Sequence, residues 1–223
     1  MTTALATDIV VEDTDSAGTV AWAFTVNATI ALAKTLVAVA TGSAAMMAEA
    51  LHSYADIATE VFLGIGVLHG RRRNRARYFW ALCASIYMFA AGGLYAAWEG
   101  VDSILSPEAA KGAAWTALLV LAVSAALEST SLRKGFGDLA STRNGVPWLT
   151  YWRTTTNTTA KTVVAEDGAD ILGCVLAAVG VVLRLLTGST VWEGLAAILV
   201  AVVMLGVAYE LGSANLRLLT ASA

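Results

Sequence analysis

The chain has 223 residues, of which 57% are apolar and only 14% charged, with a formal net charge of −3 and a mean hydropathy of +0.68. So much apolar surface excludes a disordered chain and a disulfide-stapled secreted module, and without a general basic surface no nucleic-acid partner is implied. A bilayer-crossing helix needs roughly 20 mostly apolar residues, so the composition predicts an all-α integral membrane protein with six transmembrane helices.

In chain order, residues 1–19 carry four acids, no Lys or Arg, and no continuous apolar core. They lack the parts of a cleavable signal and are expected to be a short cytoplasmic tail. Six apolar segments follow, at 20–41, 43–69, 78–104, 109–131, 160–187 and 190–214. In lipid, backbone polar groups must be satisfied within the segment, and barrel-type alternation is absent, so each is expected to be a helix. The longest polar connection, 132–159, holds Trp148, Tyr151 and Trp152, which suit an amphipathic piece at the headgroup level. Residues 215–223 read as a short cytoplasmic tail, and no second domain is expected.

Orientation follows from the basic residues. Arg71, Arg72, Arg73, Arg75 and Arg77 lie between spans two and three, and Arg133, Lys134, Arg143, Arg153 and Lys161 lie around spans four and five. The other side has only Lys111 and Arg184. Both termini are therefore expected in the cytoplasm, the Arg71–Arg77 group being a topology anchor that also touches anionic lipid. Cys83 and Cys174 sit in apolar stretches without a CxxC or Cys/His cluster, and read as small buried hydrophobes.

Ionisable groups inside a membrane segment are expensive and mark functional sites. Span two places Glu49, His52, Asp56 and Glu60 at offsets of three, four and four, along one helical stripe. Span five places Glu166 and Asp170 four apart, with Asp167 one residue round. A helix pair presenting His52 and Asp56 from one side and Glu166 and Asp170 from the other supplies the four ligands of a tetrahedral divalent cation. Three carboxylates and one imidazole suit Zn²⁺, and also Mn²⁺, Fe²⁺, Co²⁺ or Cd²⁺, better than Cu⁺. Without a cation these carboxylates repel one another unless protons neutralise them, so metal is expected to exchange for protons. Glu49 and Asp167 are assigned to supporting or access-path roles. For Glu60, cavity lining and a structural hydrogen bond fit equally. The competing account is a structural polar network in which the acids bind each other or Lys34. Glu99, Asp102, Glu128 and Glu210 lie near span ends, where interfacial or packing roles are expected, and His69 reads as an interfacial side chain.

The stretches SAAMMAEALHSYADIATEVFLGIGV, RYFWALCASIYMFAAGGLYAAWEGVDSIL, EDGADILG and WEGLAAILVAVVMLGVAYELGSANLRLL together resemble the cation diffusion facilitator family over roughly residues 40–220. The resemblance implies a six-helix, usually dimeric exporter of Zn²⁺ and related divalent metals working by proton antiport. It also implies a membrane site with paired ligands from spans two and five. On that pattern His52 and Asp56 match one pair, and Glu166 and Asp170 the other, while Glu49 matches a position where the family often has an acid. Most members have His where Glu166 stands. Glu166-Asp167 is similar to the branch containing mammalian zinc transporter nine, although that branch usually has a small residue at the Asp170 position. Replacing His by Glu hardens the site. The loop after span two lacks the family's HPFG-like stretch, so no second loop metal site is expected. No family-type cytoplasmic domain is expected either, so a homodimer would rest on the membrane helices.

The expected function is thus a divalent metal cation/proton antiporter in the plasma or inner membrane, exporting Zn²⁺ or a similar ion from the cytoplasm, with no cofactor beyond the transported ion. The rival is a non-transporting membrane scaffold derived from a transporter, which would be marked by loss of ligands; all four positions are filled. An intramembrane metallohydrolase would need a motif such as HExxH, which the sequence does not contain.

Overall fold

The computed structural model describes residues 24, 25, 27–70, 74–106, 114–154 and 158–221. The whole of the expected N-terminal tail, residues 1–19, Arg71 to Arg73 and Lys111 lie outside them, as do the side chains of His69, Arg75 and Arg77. Among the described residues the fold is all-helical: α1 (Asn27–Thr41), α2 (Ala44–Gly70), α3 (Asn74–Tyr87), a π-helical segment (Met88–Leu94), α4 (Tyr95–Leu105), α5 (Ala114–Thr142), α6 (Trp148–Thr154), α7 (Thr158–Thr187) and α8 (Val191–Ala221).

Among the described residues four rods are long and apolar enough to cross a bilayer: Tyr78–Leu105, Ala114–Thr142, Lys161–Thr187 and Val191–Thr220. With α1, a shorter apolar helix, and α2, which has 27 residues but carries three acids, they fit six crossings. The outside of the bundle is apolar: Leu36, Val39, Leu172, Val179, Leu186 and Val202 are exposed, whereas Lys34, Glu49, His52 and Asp170 are buried. That inversion of the soluble pattern is what a lipid solvent selects.

The helix ends have local causes. Gly42 takes a positive φ of 65° and donates its N–H to the Ala38 carbonyl at 2.8 Å, closing α1 as a left-handed glycine does. Ser43 then caps α2, its Oγ accepting the Met46 N–H at 3.3 Å. Gly188, with φ of 74°, closes α7 in the same way, its N–H reaching the Arg184 carbonyl at 2.7 Å. The core is built of small residues, among them Ala45, Ala48, Ala177, Ala197 and Ala201, which let helix backbones approach closely. Where α4 crosses α8, a β-carbon on Gly100 would lie 2.8 Å from the Gly194 carbonyl oxygen.

Two boundaries differ from expectation. The expected polar connection 132–159 is largely helical: α5 continues to Thr142 because Gly135 and Leu139, one turn apart, are buried, Leu139 in a cluster with Tyr151 and Val164. Tyr151 in this stretch is buried, and its hydroxyl pairs with Thr142 Oγ1 at 2.6 Å, so α6 is pinned to α5 while Trp148 and Leu149 stay exposed. The expected tail 215–223 is helical to Ala221. Span three, expected to be a helix, is one with a π-helical stretch inside it, whose Gly92 and Gly93 receive the Met204 and Leu205 side chains of α8.

Candidate metal centre

α2 packs against α3, α4, α7 and α8, so its ionisable stripe faces the bundle interior. α7 meets it with Glu166 and Asp170, both buried. At the centre lies His52, whose Nε2 is 3.8 Å from Asp56 Oδ1 and whose Nδ1 is 3.9 Å from Asp170 Oδ1. Glu49, His52 and Asp170 each offer one ligating atom, all within 4.8 Å of one another. His52 is thereby flanked on both sides by carboxylates, and Asp56 keeps 19% of its side chain exposed.

The remaining acids lie around this group. Glu166, one turn before Asp170, lines a cavity of about 10 Å³ with Thr59, Thr162, Ser85 and Asn215. Asp167 turns towards Ser131 and Glu128 of α5. Glu60 accepts a hydrogen bond from Asn27 Nδ2 at 2.6 Å. Glu166 and Asp167 stand nearer the N-terminal end of α7 than Asp170 does, and Glu60 nearer the C-terminal end of α2 than His52 does.

Of the four residues expected to ligate, the structure groups His52 with Asp170 and sets Asp56 beside His52. Glu166 is not in the compact three-residue group, and Glu49, expected in a supporting place, is. Two residues in contact with this group went unassigned. Lys34 of α1, considered only as part of a structural network, puts Nζ 3.1 Å from Glu49 Oε2 and 2.9 Å from Asp170 Oδ1. Cys174 is buried as expected, but its thiol donates to Glu49 Oε2 at 3.2 Å. The available signal was its place one turn beyond Asp170, on the Glu166 stripe.

The donor chemistry fits a divalent cation. Glu49 Oε1, His52 Nδ1 and Asp56 Oδ1 are buried and have no hydrogen-bond partner among the described residues, and such atoms in low dielectric are costly unless something ligates them.

Comparison with known proteins decides the family. Residues 20–220 match the cation efflux transmembrane domain. The chain belongs to the cation efflux (cation diffusion facilitator) family. Relatives include the Xenopus laevis protein named proton-coupled zinc antiporter SLC30A9, mitochondrial, 29% identical over 173 residues, covering 73% of this chain and 31% of the relative. The human protein of that name is 26% identical over 166 residues, 70% of this chain and 29% of its own length. Metal tolerance protein C4 of Arabidopsis thaliana is 26% identical over 170 residues, covering 70% of this chain and 36% of the relative. The aligned part is thus about a third of the length of these relatives. As a member of the cation efflux family the chain is a multi-pass membrane protein, related to transporters rather than to enzymes.

Proposed function

We propose that this protein is a divalent metal cation/proton antiporter that exports Zn²⁺ or a similar transition metal ion from the cytoplasm. The observation that carries the reading is His52 held between the carboxylates of Asp56 and Asp170 inside a lipid-facing bundle. In this reading His52, Asp56, Glu166 and Asp170 bind the ion. Glu166 takes it over from the cytoplasmic acids, Asp167 lines that approach and Glu49 supports the site from the outer side. The names of the relatives, zinc antiporter and metal tolerance protein, support a Zn²⁺-like substrate. The carboxylates and imidazole must be unprotonated to ligate, so metal entry releases protons and couples the two fluxes. Alternating access comes from helices rocking about a site near the midplane. The membrane proposed is the plasma or inner membrane, with both termini cytoplasmic, and the assembly a homodimer through membrane helices.

The test is proton movement in proteoliposomes loaded with a pH-sensitive dye and challenged with Zn²⁺, Cd²⁺, Mn²⁺, Fe²⁺, Co²⁺ and Mg²⁺, beside an Asp170→Ala variant. Metal-driven proton flux that the variant lacks is the expected result. Silence for every metal from folded, inserted protein overturns the reading in favour of a non-transporting scaffold.

A further inference from the structure

The ammonium of Lys34 sits among the carboxylates of the candidate metal centre. It is fully buried, and it donates to Glu49 Oε2 at 3.1 Å, Ser53 Oγ at 2.9 Å and Asp170 Oδ1 at 2.9 Å. All three N–H bonds are therefore engaged, and two of the three compactly grouped ligating residues are engaged by them. Lys34 comes from α1, which brings no carboxylate to the group, so its charge is compensated only by α2 and α7.

We propose that Lys34, anchored on Glu49, is a tethered counter-cation that competes with the transported metal for the Asp170 carboxylate and so sets the affinity of the site. The inference rests on reading this centre as the transport site. A metal bound to Asp170 at roughly 2.1 Å would lie within a few ångströms of the ammonium, which is 2.9 Å from Asp170 Oδ1, and two cations that close in low dielectric repel strongly. Occupancy is therefore mutually exclusive. The ammonium is a compact charge on a flexible four-carbon stem, so it can leave without displacing α1. Between transport cycles it pairs with both carboxylates and cancels one of their two negative charges, whereas an isolated acid cluster would need a free ion to do so. Each metal-binding event must then work against this internal ligand. If the state with Lys34 withdrawn is populated at about 10%, the apparent dissociation constant is raised about tenfold.

The experiment is Zn²⁺ and Cd²⁺ titration calorimetry on the detergent-purified full chain, comparing wild type, Lys34→Met and Lys34→Gln, with folding checked by thermal unfolding. Both neutral variants are expected to bind roughly tenfold more tightly than wild type. A folded neutral variant binding no more tightly than wild type overturns the proposal. A second measurement needs no neutral variant to fold. In ¹⁵N-lysine spectra of wild type, the Lys34 ammonium signal, assigned by its loss in Lys34→Arg, is expected to shift on Cd²⁺ saturation; a signal unmoved at saturation also overturns it. Wild type that binds no metal refutes the transport reading itself. Wild type that binds metal while the neutral variants gain nothing refutes only the role of Lys34.

Discussion

Gly173 lies against the carboxylate of Glu49: a β-carbon built on Gly173 would collide with Glu49 Oε1. The missing side chain is thus the space in which Glu49 reaches Lys34 and the Cys174 thiol, which donates to Glu49 Oε2 at 3.2 Å. Gly173→Ala is expected to push the carboxylate out of register while leaving the helices in place. Overpacking of this kind destabilises by about 1–3 kcal/mol. Losing the placement of a group that orients ligands weakens metal binding by about 10–100-fold. Calorimetric Zn²⁺ titration of the folded variant checks this, and an unchanged affinity would show that Glu49 does not set the geometry of the site.

Asp170→Asn and Glu166→Gln compare a proposed ligand inside the compact group with one outside it. Asp170 touches both Lys34 and His52, so its neutralisation is expected to abolish metal binding. Glu166, the proposed ligand outside the compact group, lines a different small cavity beside Thr59, so Glu166→Gln is expected to weaken binding less than Asp170→Asn does and to slow transport as well. Parallel measurement of flux and affinity distinguishes them. Equal loss of affinity in both variants would mean that Glu166 closes onto the ion as tightly as Asp170.

Much of this arrangement was legible because i, i+4 spacing fixes which side chains share a helix face, and buried carboxylates on two such faces must meet something. The stripes of α2 and α7 follow directly from that. Which faces meet does not follow, because periodicity within one helix carries no information on its neighbours. Lys34 has no periodic partner on α1, and its contact with Asp170 spans 136 positions. Cys174 was read as an apolar filler from its surroundings in the chain, although it stands one turn beyond Asp170. The end of α5 was misjudged for a related reason. Arg133, Lys134 and Asp138 make residues 132–142 look like a loop, while buried Gly135 and Leu139 pack on neighbouring helices and hold the segment helical.

At the far end of α7, Arg184 and Glu193 form an ion pair in the core, Arg184 Nε lying 3.2 Å from Glu193 Oε1 and Arg184 Nη1 3.5 Å from Oε2. Both side chains are buried. Removing one partner strands the other, so Arg184→Met and Glu193→Leu are each expected to destabilise by about 3–5 kcal/mol. The double variant should recover most of that, since the desolvation of both charges disappears together. Thermal unfolding in detergent of the two singles and the double forms the required cycle. Additive losses would show that the pair does not act as a unit.

Protons and metal compete for the same atoms at His52, Asp56 and Asp170, since a nitrogen or oxygen that carries a proton cannot ligate. The sign is fixed: metal affinity must fall as pH falls. Each proton displaced contributes about one logarithmic unit of dissociation constant per pH unit over the range in which it is bound. Zn²⁺ titrations at a series of pH values, each repeated in two buffers of different ionisation enthalpy, give the number of protons released. A release of one or more protons that disappears in Asp170→Ala is expected. An affinity independent of pH would mean that the ion enters without displacing protons, and antiport would then need another proton carrier, with Glu128 and Asp167, which face each other across α5 and α7, as the groups to replace first.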